Sequence, residues 1–276
     1  MRRELALQQR LALLATLEDA VSAMQALAAH HFRLLRQALP AARRYRQEIE
    51  AMRAVLPPAA PRQERLPAAG LLAMASDLGL CGDYNARLAQ EAVAAHGRLG
   101  LGPVYLVGRR LVPRLARAGL TPARSYEAPA SLDGLAPLLL RLVQDLAADV
   151  QDGRLGGLHL LAARFDGVGH STPVITRLLP VAPQEATPCP GPSPYVPADH
   201  LAGVVVRELL YITLHETMLD ALAAEQGMRL AAAEGARQWL ASGRARVQRQ
   251  LAASRSEAAT QEILDIVAGS RRRGER

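Results

Sequence analysis

The N-terminal segment has the hydrophobic pattern of one long helix. From about Glu4 to Val55 the apolar residues recur at the spacing of an amphipathic helix. Alternating steps of three and four predict a heptad seam that lies along a partner helix. The seam residues are Leu14, Leu17, Val21, Met24, Ala28, His31, Leu35 and Ala38. Three prolines, Pro57, Pro58 and Pro61, are expected to end the helix.

The middle of the chain, from about Leu66 to Val181, has a different pattern, in which short apolar runs alternate with amphipathic helical segments. The segments are Leu71–Ala75, Tyr84–Leu99, Val104–Val107, Arg110–Ala118, Leu132–Val150, Leu158–Ala162 and Val174–Leu179. Strand and helix alternation predicts a small α/β domain with a mostly parallel, Rossmann-like sheet. Only the loop Arg164–Thr172 separates the last two runs, so they are expected to form an antiparallel hairpin.

The rest of the chain predicts a linker and a second long helix. Pro180–Pro197 is rich in proline and is expected to be exposed and extended, whereas Leu201–Ala268 contains no proline and is helix-compatible throughout. Within that helix Gly227, Gly235 and Gly243 are expected to mark close contacts with another helix.

Taken together, the three patterns predict an α/β protein with a long antiparallel coiled coil. The N- and C-terminal helices form a stalk, and a small Rossmann-like α/β domain is inserted between them. The predicted boundaries are residues 1–56 for the first stalk helix, 66–181 for the α/β domain, 182–197 for the linker and 198–276 for the second stalk helix.

Charge and cysteine content bear on the possible partners and on the cellular compartment. The net charge is +7, and the basic residues are all arginine, whose planar fork suits carboxylates and phosphates. Nucleic acid, an anionic membrane and acidic protein surfaces all remain open as partners, and genome composition explains the arginine preference equally well. Cys81 and Cys189 form neither a disulfide framework nor a metal site, which favours a reducing compartment. No unbroken apolar run reaches 18 residues, so we expect no membrane span and no signal peptide.

Several residues admit both a chemical and a structural interpretation. The turn Gly79–Asn85 follows a strand and opens a helix, which is typical of a phosphate cradle. It lacks the residues of a P-loop, and a tight strand-to-helix connection with Asp83 or Asn85 near the helix N-terminus is the favoured interpretation. Cys81 is either a reactive thiol or, as we prefer, a buried packing residue.

The histidines are not expected to form a metal site. His30 and His31 are adjacent on a helix and cannot face one metal ion, while His159 and His170 near Asp166 lack a third ligand. Among the arginines of the C-terminal tail, Arg255 is expected to contact a carboxylate of another chain. For the other arginines, such a contact and a solvated surface charge are equally open.

Four strings, in order along the chain, then carry a resemblance to a known family. They are Ala23–Ala29, Ser76–Asn85, Leu222–Leu230 and Thr260–Gly269, the last preceded by Arg255. Each resembles a motif of the gamma subunits of F-type ATP synthases, and together they span nearly the whole chain. Gln25 and Ser256 depart from the family pattern, and Ser270–Arg276 extends past its usual end. The front segment is similar to the alternate, N-type branch.

The resemblance implies a rotor subunit of the central stalk that couples ion flow through the membrane sector to ATP synthesis or hydrolysis. The implied partners are the alpha and beta subunits of the catalytic ring, the epsilon subunit and the c-ring, with no nucleic acid. No catalytic residue, cofactor or metal is implied. Contacts with the ring are implied at Met24, Arg255, Thr260, Gln261 and Glu262, with Met24 packed near the others. The implied location is the cytoplasmic face of the bacterial plasma (inner) membrane, as a peripheral protein.

Two other classes of function remain alternatives at this point. One is a coiled-coil scaffold or nucleic-acid-binding protein, which salt-sensitive DNA binding would favour. The scarcity of aromatic residues, 3% of the chain, argues against nucleic acid. The other is a small-molecule enzyme built on the α/β insert, which nucleotide binding by the isolated chain would favour.

Overall fold

We describe the protein from a computed structural model, which gives the structure of residues 2–56, 67–180 and 196–274. The elements in chain order are helix α1 (Arg2–Ala54), strand β1 (Ala69–Met74), helix α2 (Tyr84–Leu99), strand β2 (Val104–Val107), helix α3 (Val112–Arg117), strand β3 (Arg124–Tyr126), helix α4 (Leu135–Gln151), strands β4 (Gly157–Gly167) and β5 (His170–Leu179), and helix α5 (Ala198–Gly274). They group into two compact units. The larger unit is Ala28–Ala232, and the smaller unit is Met1–Leu27 with Ala233–Arg276.

The larger unit is built on a five-stranded sheet in the order β3-β2-β1-β4-β5. β1 pairs in parallel with β2 and β4, and β2 pairs in parallel with β3. Strands covered on both faces form continuous apolar runs. Leu71–Met74 and Val104–Val107 are such runs, and all their side chains are buried. The mixed sheet and its helices confirm the predicted α/β class.

Helices cover both faces of this sheet because successive side chains of a strand point to opposite sides. On one face Leu72 of β1 belongs to a core with Leu139 of α4 and Leu214 of α5. On the other face Leu71 packs in a separate core with Leu88 of α2. The central part of α5 is therefore part of the domain core.

The predicted hairpin of the last two strands is confirmed, but its loop is much shorter than expected. β4 and β5 pair antiparallel from Leu158 with Leu179 to Gly167 with His170. Only Val168 and Gly169 form the turn, so the prediction of a loop over residues 164–172 is wrong. The added strand residues are largely polar or half-buried, and for that reason they lack the apolar run that indicates a strand.

Strand β3 was missed entirely from the sequence. It is three residues long, and only Tyr126 of the three is buried. A strand this short shows no periodicity, so its assignment depends on pairing with β2 at the sheet edge.

The predicted seam of α1 is confirmed in part, and only Leu17 among its eight residues is exposed. Leu14, Ala28 and Leu35 are buried, and Ala42 and Ile49 continue the same line. The intervening seam positions predicted at Leu17, Met24, His31 and Ala38 are exposed or half-buried. Leu17, for example, is 43% exposed.

A second set of positions, one residue later along α1, also faces α5. They are Glu18, Gln25, Phe32, Leu39 and Arg46, three of which are polar. Each polar residue among them bonds to a side chain of α5. Apolar periodicity does not indicate such positions, because a polar side chain is stable in a seam only where the neighbouring helix offers a hydrogen-bond or charge partner.

Helix α5 is continuous over the predicted region, but its glycines do not mark helix contacts. A Cβ added at Gly227 would lie 3.0 Å from Cε2 of Phe165, so the close neighbour is the β4–β5 hairpin. A Cβ added at Gly235 or Gly243 would meet nothing within 4 Å. The expectation of helix contacts at these glycines is therefore wrong.

Some predictions fall on residues that the structure does not describe. Most of the proline-rich linker, Cys189 and the prolines after α1 lie outside the described residues, and the division at 1–56, 66–181, 182–197 and 198–276 stays a prediction. An 18-residue window within Arg3–Ala54 is long and apolar enough to cross a membrane, and 11% of it is buried. Core helices of soluble proteins and signal sequences pass the same test, so this is weak evidence for a span.

Candidate functional sites on the paired helices

Two of the four strings that carry the family resemblance come together in the larger unit. The turn after β1, Ser76–Asn85, packs against the α5 segment that contains Glu225 and Arg229. The hydroxyl of Tyr84 donates to the carbonyl of Ala221 at 3.1 Å, and Nε of Arg229 donates to the carbonyl of Gly79 at 3.4 Å. The turn is thereby attached to the helix.

At this junction Glu225 and Arg229 form a buried ion pair one helical turn apart. The Nη2–Oε1 distance is 2.5 Å, and each side chain is only 7% exposed. Burial raises the pKa of Glu225, although the guanidinium of Arg229 acts in the opposite direction. Because breaking a buried pair leaves one charge without a partner, the pair fixes how α5 sits on the turn. The i,i+4 spacing of Glu and Arg was visible in the sequence, but burial was not.

The turn itself is held by a second buried polar contact. The side-chain amide of Asn85 donates to Oγ of Ser76 at 2.7 Å and accepts from the backbone N–H of Ser76 at 3.2 Å. Leu80 and Gly82 adopt positive φ angles of 59° and 60°. Asp83 precedes the first residue of α2, but its side chain makes no capping bond. This geometry is a tight strand-to-helix connection, which was the favoured interpretation.

Cys81 lies inside this connection and is buried, with 2% of its surface exposed. Burial raises the pKa of the thiol, and a hydrogen bond with Ser76 opposes the rise only in part. A reactive cysteine requires a lowered pKa and access. The interpretation of Cys81 as a reactive thiol is therefore wrong, and the packing interpretation is confirmed.

The hairpin is attached to α5 through Asp220. The backbone N–H of Phe165 donates to Oδ2 of Asp220 at 3.1 Å, and Arg36 of α1 lies 3.7 Å from the other carboxylate oxygen. The Arg36 guanidinium also lies 5.0 Å from the centre of the Phe165 ring. Gly227 gives the ring room to approach the helix. These contacts join α1, the hairpin and α5.

Further along the larger unit, α1 and α5 run antiparallel and are joined by charged pairs. Arg46 and Arg43 both bond to Glu216, at 2.5 Å and 3.2 Å. The hydroxyl of Tyr45 donates to Glu208 at 2.8 Å. Higher numbers in α1 thus pair with lower numbers in α5, which confirms the predicted antiparallel arrangement within this unit.

The smaller unit consists of the start of α1 and the end of α5, which also pair antiparallel. Its apolar contact joins Leu14 with Leu240 and Val247, all of which are buried. Hydrogen-bonded polar side chains connect the helices at three levels. These are Gln25 with Glu234 at 3.1 Å, Glu18 with Arg244 at 3.0 Å, and Glu4 with Arg255 at 2.7 Å. This ladder fixes the register of one helix on the other.

The ladder corrects the predicted grouping of the ring-contact residues. Arg255 lies opposite Glu4, whereas Met24 is adjacent to Gln25 and lies opposite Glu234. Met24 and Arg255 are therefore about twenty residues apart along the pair, or roughly 30 Å at the α-helical rise. The prediction that Met24 packs near Arg255 is wrong.

The other predicted contact residues occupy the exposed end of α5. The Thr260 hydroxyl donates to the carbonyl of Ser256 at 2.9 Å, within the helix. Gln261 and Glu262 are exposed, and Arg255 keeps 57% of its side chain exposed despite its bond to Glu4. Whether these residues contact another chain stays a prediction.

Beyond Arg255, the end of α5 presents apolar side chains on its surface. Ile263, Leu264 and Ile266 are 61%, 57% and 65% exposed. Contiguous exposed apolar surface of this kind marks contact sites for other chains.

The histidines that the sequence singled out are not brought together into one site. The rings of His30 and His31 lie 5.9 Å apart on α1. His159 lies on β4, where burial and then the neighbouring charge of Arg177 lower its pKa. The Nδ1 of His170 lies 3.3 Å from the carbonyl of Val168 in the hairpin turn.

These features define a class of protein before any comparison. In the smaller unit an antiparallel helical pair has exposed apolar residues at the end of α5, and in the larger unit α1 and α5 form part of the core of a mixed α/β domain. Such a fold presents surfaces to other chains.

Comparisons with known proteins define the family. A family model described as ATP synthase matches residues 4–271. The ATP synthase gamma chain of Moorella thermoacetica is 27% identical over 278 residues, and the alignment covers 96% of each chain. The gamma chain of Rubrobacter xylanophilus is 26% identical, with 90% of each chain covered. The chain belongs to the gamma-chain family of the F-type ATP synthases.

Solved structures agree at the level of the fold. A chain in the Euglena gracilis mitochondrial ATP synthase structure of OSCP, F1 and c-ring aligns with a TM-score of 0.67 and 11% identity, covering 96% of this chain and 93% of that one. A chain of the rotor structure from the same organism gives a TM-score of 0.62 at 10% identity, with coverage of 93% and 99%. The protein is a non-catalytic central-stalk subunit of a membrane-associated complex, and neither the enzyme nor the nucleic-acid alternative is favoured.

Proposed function

We propose that the chain turns inside a ring of alpha and beta subunits and couples ion flow through the membrane sector to ATP synthesis or hydrolysis in that ring. The observation that carries this proposal is the exposed apolar end of α5, at Ile263, Leu264 and Ile266. Exposing these side chains is unfavourable in water, and a surrounding collar of other chains removes them from it.

Torque transmission requires that the two helices of the smaller unit do not slide along each other. The apolar contact of Leu14 with Leu240 and Val247 supplies most of the attraction. The polar ladder sets the register, since exposed ion pairs are individually worth only about 0–1 kcal/mol. The chain then presents a different face to each ring subunit as it turns. Contact energies that differ between ring conformations shift nucleotide affinity.

Arg255 is well arranged to contact a carboxylate of a ring subunit. Its Nε donates to Glu4 at 2.7 Å, and among the described contacts the two terminal nitrogens of its guanidinium make none. A guanidinium binds a second carboxylate readily through those nitrogens. Thr260, Gln261 and Glu262 follow on the same exposed end and are proposed as further contacts.

The remaining assignments follow from the family. The α/β domain is proposed to contact the epsilon subunit and the c-ring, and the complex is proposed to lie at the cytoplasmic face of a bacterial inner membrane. Membership of the N-type branch stays a prediction.

Reconstitution tests the central proposal. The purified chain is mixed with alpha and beta subunits, and a stoichiometric complex with raised ATPase activity is expected. Failure to form such a complex would count against the rotor role.

The Arg255 contact is tested with a variant of the same complex. Arg255→Ala is expected to lower coupled turnover about tenfold, the scale of a lost charge-assisted hydrogen bond. The fold of the isolated chain should be unchanged, because the side chain is 57% exposed. Arg249→Ala, another exposed arginine of α5, is the matched control. Unchanged turnover in the Arg255 variant would remove this residue from the contact while leaving the rotor role intact.

A further inference from the structure

Trp239 is the one tryptophan of the chain, and it is left in solvent. It lies on α5 in the smaller unit and is 69% exposed. The residues one turn before and one turn after it are Gly235 and Gly243, which have no side chain to cover the indole. Large aromatic side chains are highly buried on average, so this degree of exposure is unusual.

The two glycines have no explanation within the chain itself. Glycine weakens a helix interior relative to alanine. It is retained where another group approaches the backbone closely, but an added Cβ at Gly235 or Gly243 would meet nothing within 4 Å. Close approach of another chain on either side of Trp239 would account for both.

Trp239 lies on a flank of α5, outside its line of buried residues. The residues of α5 that are buried in the smaller unit are Ala233, Leu240, Val247 and Leu251, which lie on one side of the helix. Trp239 precedes Leu240 by one residue, which is a rotation of about 100° around the helix. The packing of the helical pair therefore leaves the indole uncovered.

A positive charge lies on the same side of the helix. Arg246 follows Trp239 by seven residues, or nearly two full turns, and is exposed. Its neighbours Arg244 and Arg237 pair with Glu18 and Glu234. Within the described residues Arg246 has no such acidic partner. An aromatic anchor and an unpaired guanidinium thus share one surface.

We propose that Trp239 and Arg246 form an anchor for the surrounding ring, with the indole in an apolar pocket of a ring subunit and the guanidinium on a carboxylate at its rim. Tryptophan and arginine are the residues that most often dominate binding energy when buried at an interface. This inference rests on the proposed function. The unpaired positive charge of Arg246 requires an acidic partner.

An off-axis anchor has a specific consequence in a rotary machine. A single indole on one side of the shaft can occupy the pocket of only one subunit of each kind at a time. Its contact energy therefore varies with the angle of the shaft, which is the property that couples rotation to the state of the ring. A symmetric apolar surface would not have this property.

The exposure of Trp239 can be measured directly because no other tryptophan is present in the chain. The chain is produced with 5-hydroxytryptophan, which is excited selectively beside the tryptophans of other subunits, and collisional quenching by acrylamide is compared before and after assembly. Assembly with alpha and beta subunits is expected to lower the quenching constant about threefold or more, as expected for an aromatic side chain that becomes buried. An unchanged constant in a complex with raised ATPase activity would overturn the anchor while leaving the proposed function in place.

Variants test the binding energy separately. Trp239→Ala is expected to raise the ring concentration for half-maximal assembly about thirtyfold, the effect of a strong interface anchor. Arg246→Glu is expected to raise it about tenfold, with the effect reduced by salt. Gln238→Ala, an exposed neighbour on another side of the helix, is the control. Effects equal to that of the control would overturn the proposal.

A second copy of this chain is the competing occupant. In that case the isolated chain would self-associate with rising concentration, and the quenching constant would fall without any ring subunit. Sedimentation of the isolated chain alongside the quenching measurement distinguishes the two, and self-association abolished by Trp239→Ala would overturn the assignment to the ring.

Discussion

The buried Glu225–Arg229 pair allows a quantitative test of how α5 is held against the turn after β1. We consider Arg229→Met, which keeps the length and apolar stem of the side chain and removes its charge. The variant loses the bond to Glu225 at 2.5 Å and the weaker bond to the carbonyl of Gly79 at 3.4 Å. It leaves the Glu225 carboxylate buried with no counter-charge.

The magnitude follows from the burial of both partners. Each side chain is 7% exposed, so solvent screens the interaction little. Removing one partner of a buried pair costs about 3–5 kcal/mol. With a urea m-value of about 2 kcal/mol per M, the unfolding midpoint should decrease by about 2 M.

The loss should also depend on pH in a defined direction. Without Arg229 nothing opposes the effect of burial, so the pKa of Glu225 in the folded state rises further above its unfolded value. Folding then favours the protonated form. The free energy of unfolding of the variant is greatest below the unfolded pKa, about 4.3, and decreases as the pH rises through the folded pKa. The deficit relative to the parent chain should be larger at pH 7 than at pH 4.

Urea unfolding followed by far-UV circular dichroism, with hydrogen exchange at the β1 amides, measures this loss in the larger unit. Glu225→Gln combined with Arg229→Met removes both charges and should recover about half of the lost stability. Arg237→Ala, which breaks an exposed pair with Glu234 on the same helix, should cost less than about 1 kcal/mol. A loss of that small size for Arg229→Met would refute the reasoning.

Two further predictions concern the α/β domain. Gly108 has a φ of +96°, and an added Cβ would lie 2.3 Å from the carbonyl oxygen of Ala75, so Gly108→Ala should lower the free energy of unfolding by more than about 4 kcal/mol, measured by calorimetry. Gly100→Ala, where only the positive φ is strained, should lower it by about 1 kcal/mol. Equal losses in the two variants would contradict the steric explanation. Burial opposes ionisation of Asp149, but hydrogen bonds led by that from Tyr105 prevail and lower its pKa from 3.8 to about 2. Its stabilisation of about 2 kcal/mol is present above the unfolded pKa and is lost as the pH falls through about 2. Acid unfolding of Asp149→Asn should lack this dependence, and an unaltered acid limb would contradict it.

The sequence predicted the elements whose pattern is regular and whose environment is uniform. Tyr84–Leu99 and Val104–Val107 match the observed helix and strand residue for residue. In a helix with one apolar side, and in a strand buried on both faces, the order of apolar and polar residues follows directly from which positions are buried.

The candidate site was predictable only in part. The strings around Ser76 and Glu225 were recognised as family motifs, but nothing in either string indicated that they touch. Their contact joins residues about 150 positions apart, from Gly79 to Arg229. The i,i+4 pair of Glu225 and Arg229 is buried only because the turn packs against α5. Its burial therefore depends on that contact and could not be predicted from either string.

By itself, then, the sequence determined two long terminal helices, the α/β character of the middle and the family. Only the tertiary structure decided that the seam of α1 also includes Glu18, Gln25 and Arg46, because these residues enter it through partners on α5. It likewise decided that the hairpin continues through residues 164–172 and that Gly227 accommodates Phe165. Apolar periodicity records the average preference of a residue for water, whereas a buried polar side chain depends on one particular partner, and that partner is supplied by the fold.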